Sequence, residues 1–200
     1  MTLIAVTKHH TAEAVEAVAA AGILDVGENR VQEALEKATR VTAELRWHLI
    51  GRLQRNKVRR ALELFGTVHA VDSPRLLGAI GATERALDIF LQVNVSGEQS
   101  KGGVSPADIA DLLREARKWP QLRVLGLMTM APYDEDPEAA RPHFRTLREL
   151  RDDLNRAGCT PPMECLSMGM SGDYEVAVEE GATHVRIGSA IMADITPPSR

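Results

Sequence analysis

The sequence predicts a single α/β domain, a closed (β/α)8 barrel of the TIM type spanning residues 1–200. Three observations point there. Short, largely apolar and often β-branched runs recur eight times along the chain, as strands buried on both faces require. A loop and an amphipathic helical stretch follow most of them, and strand alternating with helix implies a parallel sheet with right-handed crossovers. Polar residues collect at the C-terminal ends of the runs, where barrels of this kind keep their working groups. The competing arrangement is an open doubly wound sheet, but the first loop, Lys8-His9-His10-Thr11, lacks the glycines of a dinucleotide fingerprint.

The expected strands are Leu3–Thr7, Leu24–Gly27, Arg46–Ile50, Val68–Val71, Ile89–Val93, Val124–Met128, Glu164–Leu166 and His184–Ile187. Helix starts are marked at Ser73-Pro74, Ser105-Pro106 and Asp136-Pro137, each a capping side chain ahead of a proline at the first helical position. Ile109, Leu112, Leu113 and Ala116 fall on one face of a helix, as do Leu147, Leu150 and Leu154. No low-complexity tract or internal repeat divides the chain.

The balance of residues closes off several function classes. A formal net charge of −4 gives no positive field for nucleic acid or a membrane surface. Arg52, Arg55, Lys57, Arg59 and Arg60 read as a solvated basic helix face, against an RNA-contacting alternative. Cys159 and Cys165 have no CxxC spacing and read as reduced thiols. His9-His10 lacks further ligands at metal-site spacing. With no signal-peptide pattern and no apolar run of about eighteen residues, the expected location is cytoplasmic.

The ends of the expected strands carry Lys8, Glu28-Asn29, His48, Asp72, Asn94, Met128, the segment Ser167–Ser171, and Arg186 through Ser189. Of five lysines, only Lys8 ends an apolar strand. A lysine partly desolvated at a barrel mouth suits Schiff-base chemistry, while the plain alternative is a lysine snorkelling to solvent. The loops after strands seven and eight, ending in Ser171-Gly172 and Gly188-Ser189, suit an anion held by backbone amides, or serve as tight turns.

These residues lie in longer motifs: Ala5-Val6-Thr7-Lys8, Gly27-Glu28-Asn29-Arg30-Val31-Gln32-Glu33, Trp47 through Lys57, Ser100-Lys101-Gly102-Gly103, Leu166 through Ser171, and Val185-Arg186-Ile187-Gly188. In that order and nearly end to end, the chain resembles the pyridoxal-phosphate homeostasis proteins, single-domain relatives of the alanine racemase N-terminal barrel. The resemblance implies pyridoxal 5′-phosphate (PLP) as cofactor, held as a Schiff base on Lys8. It implies that Ser171, Gly188 and Ser189 hold the phosphate and that Arg186 faces the pyridine nitrogen. Asn29, Met128 and Ser167 are implied near the cofactor. His48 and Gln54-Asn56-Lys57 mark the family without an assigned role. Family members carry a helix before the first strand, whereas Met1 directly precedes it here, and His10 stands where many relatives have a second lysine.

What the resemblance implies about activity is a carrier that buffers or delivers the cofactor, with PLP-dependent apo-enzymes as recipients and a monomeric or weakly dimeric state. A guanidinium cannot accept a proton from the ring nitrogen, so electron withdrawal by the ring is weakened. The racemase's second-face tyrosine comes from a C-terminal domain not expected after Arg200, and neither Tyr133 nor Tyr174 is an obvious substitute. The alternative is a slow amino-acid racemase or lyase.

Overall fold

In the computed structural model, which describes residues 1–98, 101–159 and 161–193, eight parallel strands close into a barrel in sequence order. They are β1 (Thr2–Val6), β2 (Asp25–Glu28), β3 (Arg46–Leu49), β4 (Thr67–Val71), β5 (Leu87–Gln92), β6 (Leu122–Met128), β7 (Cys165–Met170) and β8 (His184–Ile187). Ring closure is made by β1 on β8, with Thr2 opposite His184 and Ala5 opposite Ile187. The closed ring replaces the open-sheet alternative.

Helices α1 (Ala12–Ala20), α2 (Val31–Ala38), α3 (Val58–Ala61), α4 (Pro74–Gly81), α5 (Ile109–Ala116), α6 (Arg141–Arg156), α7 (Tyr174–Glu179) and α8 (Ser189–Met192) follow the strands in turn. The Ser73 hydroxyl caps α4 by accepting from the Leu76 N–H at 3.4 Å. The other two Ser/Asp-Pro starts open single 3-10 turns, Pro106–Asp108 and Pro137–Ala140, which lead into α5 and α6. The stripe Ile109, Leu112, Leu113 and Ala116 is buried as expected.

Alternation along each strand separates two cores. One side packs outward against the helices, as with Ala5, Leu49, Leu127, Leu166 and Val185. Ile4, Phe90 and Met128 are fully buried but stand outside that cluster, inside the ring. The ring also encloses charged and polar side chains, among them His48, His69, Ser167 and Arg186.

Strand β7 departs from the expected Glu164–Leu166 by running on to Met170. Its register against β8 shifts between Ser167 and Met170, and Gly169 lies in this stretch at φ +93°. A side chain there would be strained, and a Cβ would meet that of Ala177 at 2.7 Å. This glycine lets the strand bend and continue past Ser167. Ser167 and Met168 are therefore strand residues instead of members of the following loop.

Candidate functional site

At the C-terminal ends of the strands lies a cleft of about 840 Å³. Its wall includes Val6, Lys8, Asn29, Ile50, Gly51, Arg52, Ala70, Asp72, Gln92, Lys101, Gly102, Gly103, Met130, Met170, Ser171, Gly172, Arg186, Gly188 and Ser189. Six of the eight site residues named from sequence thus share one cavity: Lys8, Asn29, Ser171, Arg186, Gly188 and Ser189. The other two lie below it. Ser167 and Met128 are fully buried inside the ring, and Met130 supplies the methionine wall. The shared motif residue Ser100 lies outside the described residues, while Lys101 next to it lines the cleft.

Lys8 is presented by a turn immediately after β1. The His10 N–H donates to the Thr7 carbonyl at 3.1 Å, and His9 takes the left-handed conformation at φ +67°. That conformation costs a non-glycine residue about 1–2 kcal/mol, so the turn needs support. It comes from below. The Thr7 hydroxyl donates to Glu28 Oε1 at 2.7 Å, Lys37 Nζ donates to the Thr7 carbonyl at 2.7 Å, and Lys37 also pairs with Glu28. Glu28 has no exposed side-chain surface, and its Oε2 finds no protein partner. Lys8 itself is exposed, which corrects the expectation of a partly desolvated amine: the short turn lifts it clear of the strand end.

Beside β1, after the neighbouring β8, lies an anion-suited edge. The Ser171 hydroxyl oxygen accepts from the N–H groups of Gly188 and Ala190, at 3.1 and 3.4 Å. This ties the loop after β7 to the start of α8. Asp173, at the start of α7, accepts the Met170 N–H at 2.6 Å. Burial pushes its carboxyl up, while that N–H and the nearby Arg186 cation oppose the rise.

Arg186 reaches the cleft from β8 through the ring interior. Its Nη1 donates to Ser167 Oγ at 2.7 Å and its Nη2 to the Thr129 carbonyl at 2.9 Å. Burial pulls its guanidinium down to about 10, opposed by Asp173; it remains a cation near neutral pH. Lys8, Arg52, Lys101 and Arg186 against the single carboxylate of Asp72 make the cleft cationic, although the whole chain is acidic.

Sequence reasoning did not single out Arg52, Gln92 or Met130 as cleft residues, nor Lys37 and His69 beneath it. Lys37 sits in a helix, with only its spacing from Glu33 as a mark; His69, an ionisable residue inside an apolar strand, was a readable signal. Of the basic face, Arg52 turns into the cleft, and Arg59 and Arg60 remain exposed. Tyr133 is exposed and the Tyr174 hydroxyl donates to Glu175 at 3.1 Å, so neither lines the cleft. Among the described residues no cluster of His, Cys, Asp or Glu is placed to hold a metal, and no helix is long and apolar enough to cross a membrane.

Comparison with known proteins agrees with this architecture. The family described as alanine racemase, N-terminal domain, matches residues 1–195. A protein of Aquifex aeolicus named pyridoxal phosphate homeostasis protein is 46% identical over 180 residues, 86% of this chain and 78% of that one. One of the same name from Pseudomonas aeruginosa is 43% identical over 195 residues, covering 95% and 83%. The solved structure of PipY from Synechococcus elongatus with PLP bound superimposes with a TM-score of 0.89 at 36% identity, covering 94% of this chain and 91% of that one. The eight-stranded ring, the shared motifs and these identities over nearly the whole length together establish that the chain belongs to the alanine racemase N-terminal-domain family, in its pyridoxal phosphate homeostasis branch.

Proposed function

We propose that this protein binds PLP covalently through Lys8 and serves as an intracellular reservoir for it. The observation that carries the reading is the placement of Lys8 and the Ser171–Gly188 edge on one cationic cleft. The residues fit the cofactor's parts. A primary amine follows β1, and hydroxyl and amide groups suited to a phosphate dianion follow β7 and β8. Arg186 lines the same cleft and, with most of its five N–H donors uncommitted to Ser167 or Thr129, can donate to a pyridine nitrogen.

When bound, PLP supplies an aldehyde for attachment to an amine and a ring able to withdraw electrons from the attached carbon. Lys8 provides that amine. Ser171 and the Gly188 and Ser189 backbone would hold and orient the phosphate. Arg186 would donate to the ring nitrogen and has no proton acceptor to offer, which would keep that nitrogen unprotonated. Asn29 and Met130 would border the ring, with Ser167 holding Arg186 from beneath and Met128 buried below the cleft. No tyrosine reaches the cleft to serve as a second acid or base, and loss of such a group costs about two to four orders of magnitude in rate. This supports holding and delivery to PLP-dependent apo-enzymes over racemisation, in a cytoplasmic protein that is monomeric or weakly dimeric.

Borohydride treatment of the PLP-loaded protein, followed by peptide mapping, tests the attachment. The cofactor mass is expected on the peptide containing Lys8 and absent from Lys8→Ala, whose yellow colour is also lost. A label fixed on another lysine removes the reading. Incubation with single amino-acid enantiomers tests the carrier role, which turnover at ordinary enzyme rates would defeat.

A further inference from the structure

The centre of this barrel carries a column of polar side chains where branched aliphatic residues normally fill the layers. Asp25 opens β2 near the N-terminal face, ion-paired with the exposed Arg46 at 2.6 Å. Its Oδ1 meets His48 Nε2 at 3.0 Å. His48 Nδ1 meets His69 Nε2 at 3.0 Å, and His69 Nδ1 meets Ser167 Oγ at 2.8 Å. Ser167 then accepts from Arg186 Nη1 on the cleft floor. His48 and His69 are buried, and His69 stacks on Phe90 with ring centroids 4.5 Å apart.

The column has a direction. Burial opposes the charged form of both imidazoles, so each has one donor and one acceptor nitrogen. Asp25 only accepts, which places the His48 hydrogen on Nε2 and leaves Nδ1 as acceptor. His69 must then donate from Nε2 and accept at Nδ1, where only the Ser167 hydroxyl can donate. Arg186 only donates, and Ser167 has an oxygen lone pair left for it. Starting from either end gives the same pattern, with no donor facing a donor. Five side chains from β2, β3, β4, β7 and β8 agree on one polarity.

We propose that Asp25, His48, His69 and Ser167 form a directional hydrogen-bond wire that sets the rotamer and donor pattern of Arg186. They are positioning residues for the aromatic nitrogen acceptor at the cleft floor, and the inference rests on the PLP reading only for that acceptor's identity. Through this wire the opposite face of the barrel bears on the electronics of the bound ring without touching it.

The test has two arms. In the protein without added ligand at neutral pH, ¹⁵N-resolved NMR of the ring nitrogens is expected to show neutral Nε2–H tautomers for both His48 and His69. An Nδ1–H tautomer or an imidazolium at either overturns the wire. In the PLP-loaded protein, His69→Phe keeps an aromatic ring on Phe90 but removes both links. It is expected to shift the absorption maximum of the bound cofactor at unchanged stoichiometry, with His69→Gln, which keeps one donor and one acceptor, restoring part of the shift. A merely structural histidine would alter stability and leave the band in place, and an unmoved band overturns the proposal. Should His69→Phe fail to fold, the wild-type tautomers decide. Should wild-type protein take up no chromophore, the PLP reading falls and the NMR result still decides the wire.

Discussion

Lys37 Nζ donates a 2.7 Å hydrogen bond to the carbonyl oxygen of Thr7, the residue immediately before Lys8. The same ammonium pairs with Glu28, which takes the Thr7 hydroxyl as well. A helix residue from α2 thereby braces the turn that presents the candidate attachment lysine.

Removing the brace on one side leaves a buried carboxylate without its cation. Lys37→Met is expected to cost about 3–5 kcal/mol, the usual range for breaking a buried pair, read as a lowered urea midpoint. Adding Glu28→Gln should recover much of that loss, because the uncompensated charge goes with it. A single Lys37→Met variant as stable as wild type would show that the pair supports nothing.

Acid stability follows from the buried histidines. Burial draws His184 down to about 4 from an ordinary 6.5, with nearby His48 adding to the effect; His48 and His69 are lowered too, again mainly by burial. The unfolded chain therefore binds more protons as pH falls below about 6.5, and stability present above that value is lost on the way to about 4. Melting temperature should decline steadily across this window, and less steeply in His184→Gln. A flat profile between those limits contradicts the burial of these rings.

Gly51 borders the cleft where the chain leaves β3. A Cβ there would lie 2.8 Å from the Cα of Asn29 and 2.9 Å from its carbonyl carbon, and backbone cannot swing aside as a side-chain tip can. Gly51→Ala is expected to destabilise by about 1–3 kcal/mol and to displace Asn29, weakening PLP retention in parallel. Thermal melts and the yield of yellow protein after desalting check both effects.

Ser171 joins two loops through a single hydroxyl. Its replacement by alanine removes the acceptor for the Gly188 and Ala190 amides. Loss of about 1 kcal/mol, a typical net hydrogen-bond value, corresponds to about 5-fold weaker cofactor binding. Equilibrium titration measures it, and the same variant should become less sensitive to competing inorganic phosphate. Unchanged affinity would move the phosphate elsewhere in the cleft.

All eight strands were legible because most are largely apolar runs bounded by turn residues, and the placement of Lys8, Ser171 and Gly188 on one cleft was legible because barrels place polar residues after such runs. The boundary of β7 was not. Ser167-Met168-Gly169-Met170 reads as a loop until the left-handed Gly169 is seen to let the strand continue. The longer β7 explains why Ser167 lies under the cleft inside the ring and not in the loop above it. The Glu28–Lys37 brace and the Asp25–His48–His69 column join residues from different strands and helices. Their partners become neighbours only once the ring has closed, and no local period announces them.

Ring closure by β1 on β8 has a temporal consequence. Lys8 follows the first strand of the ring and the Gly188 edge follows the last, so a ribosome must make nearly the whole barrel before both parts of the cleft coexist. Such long-range pairing folds slowly, because loop entropy is spent before the contact rewards it. On the proposed reading, cofactor capture is consequently a late event in the life of each molecule, and a chain halted before its eighth strand carries Lys8 without the loop proposed to hold the phosphate.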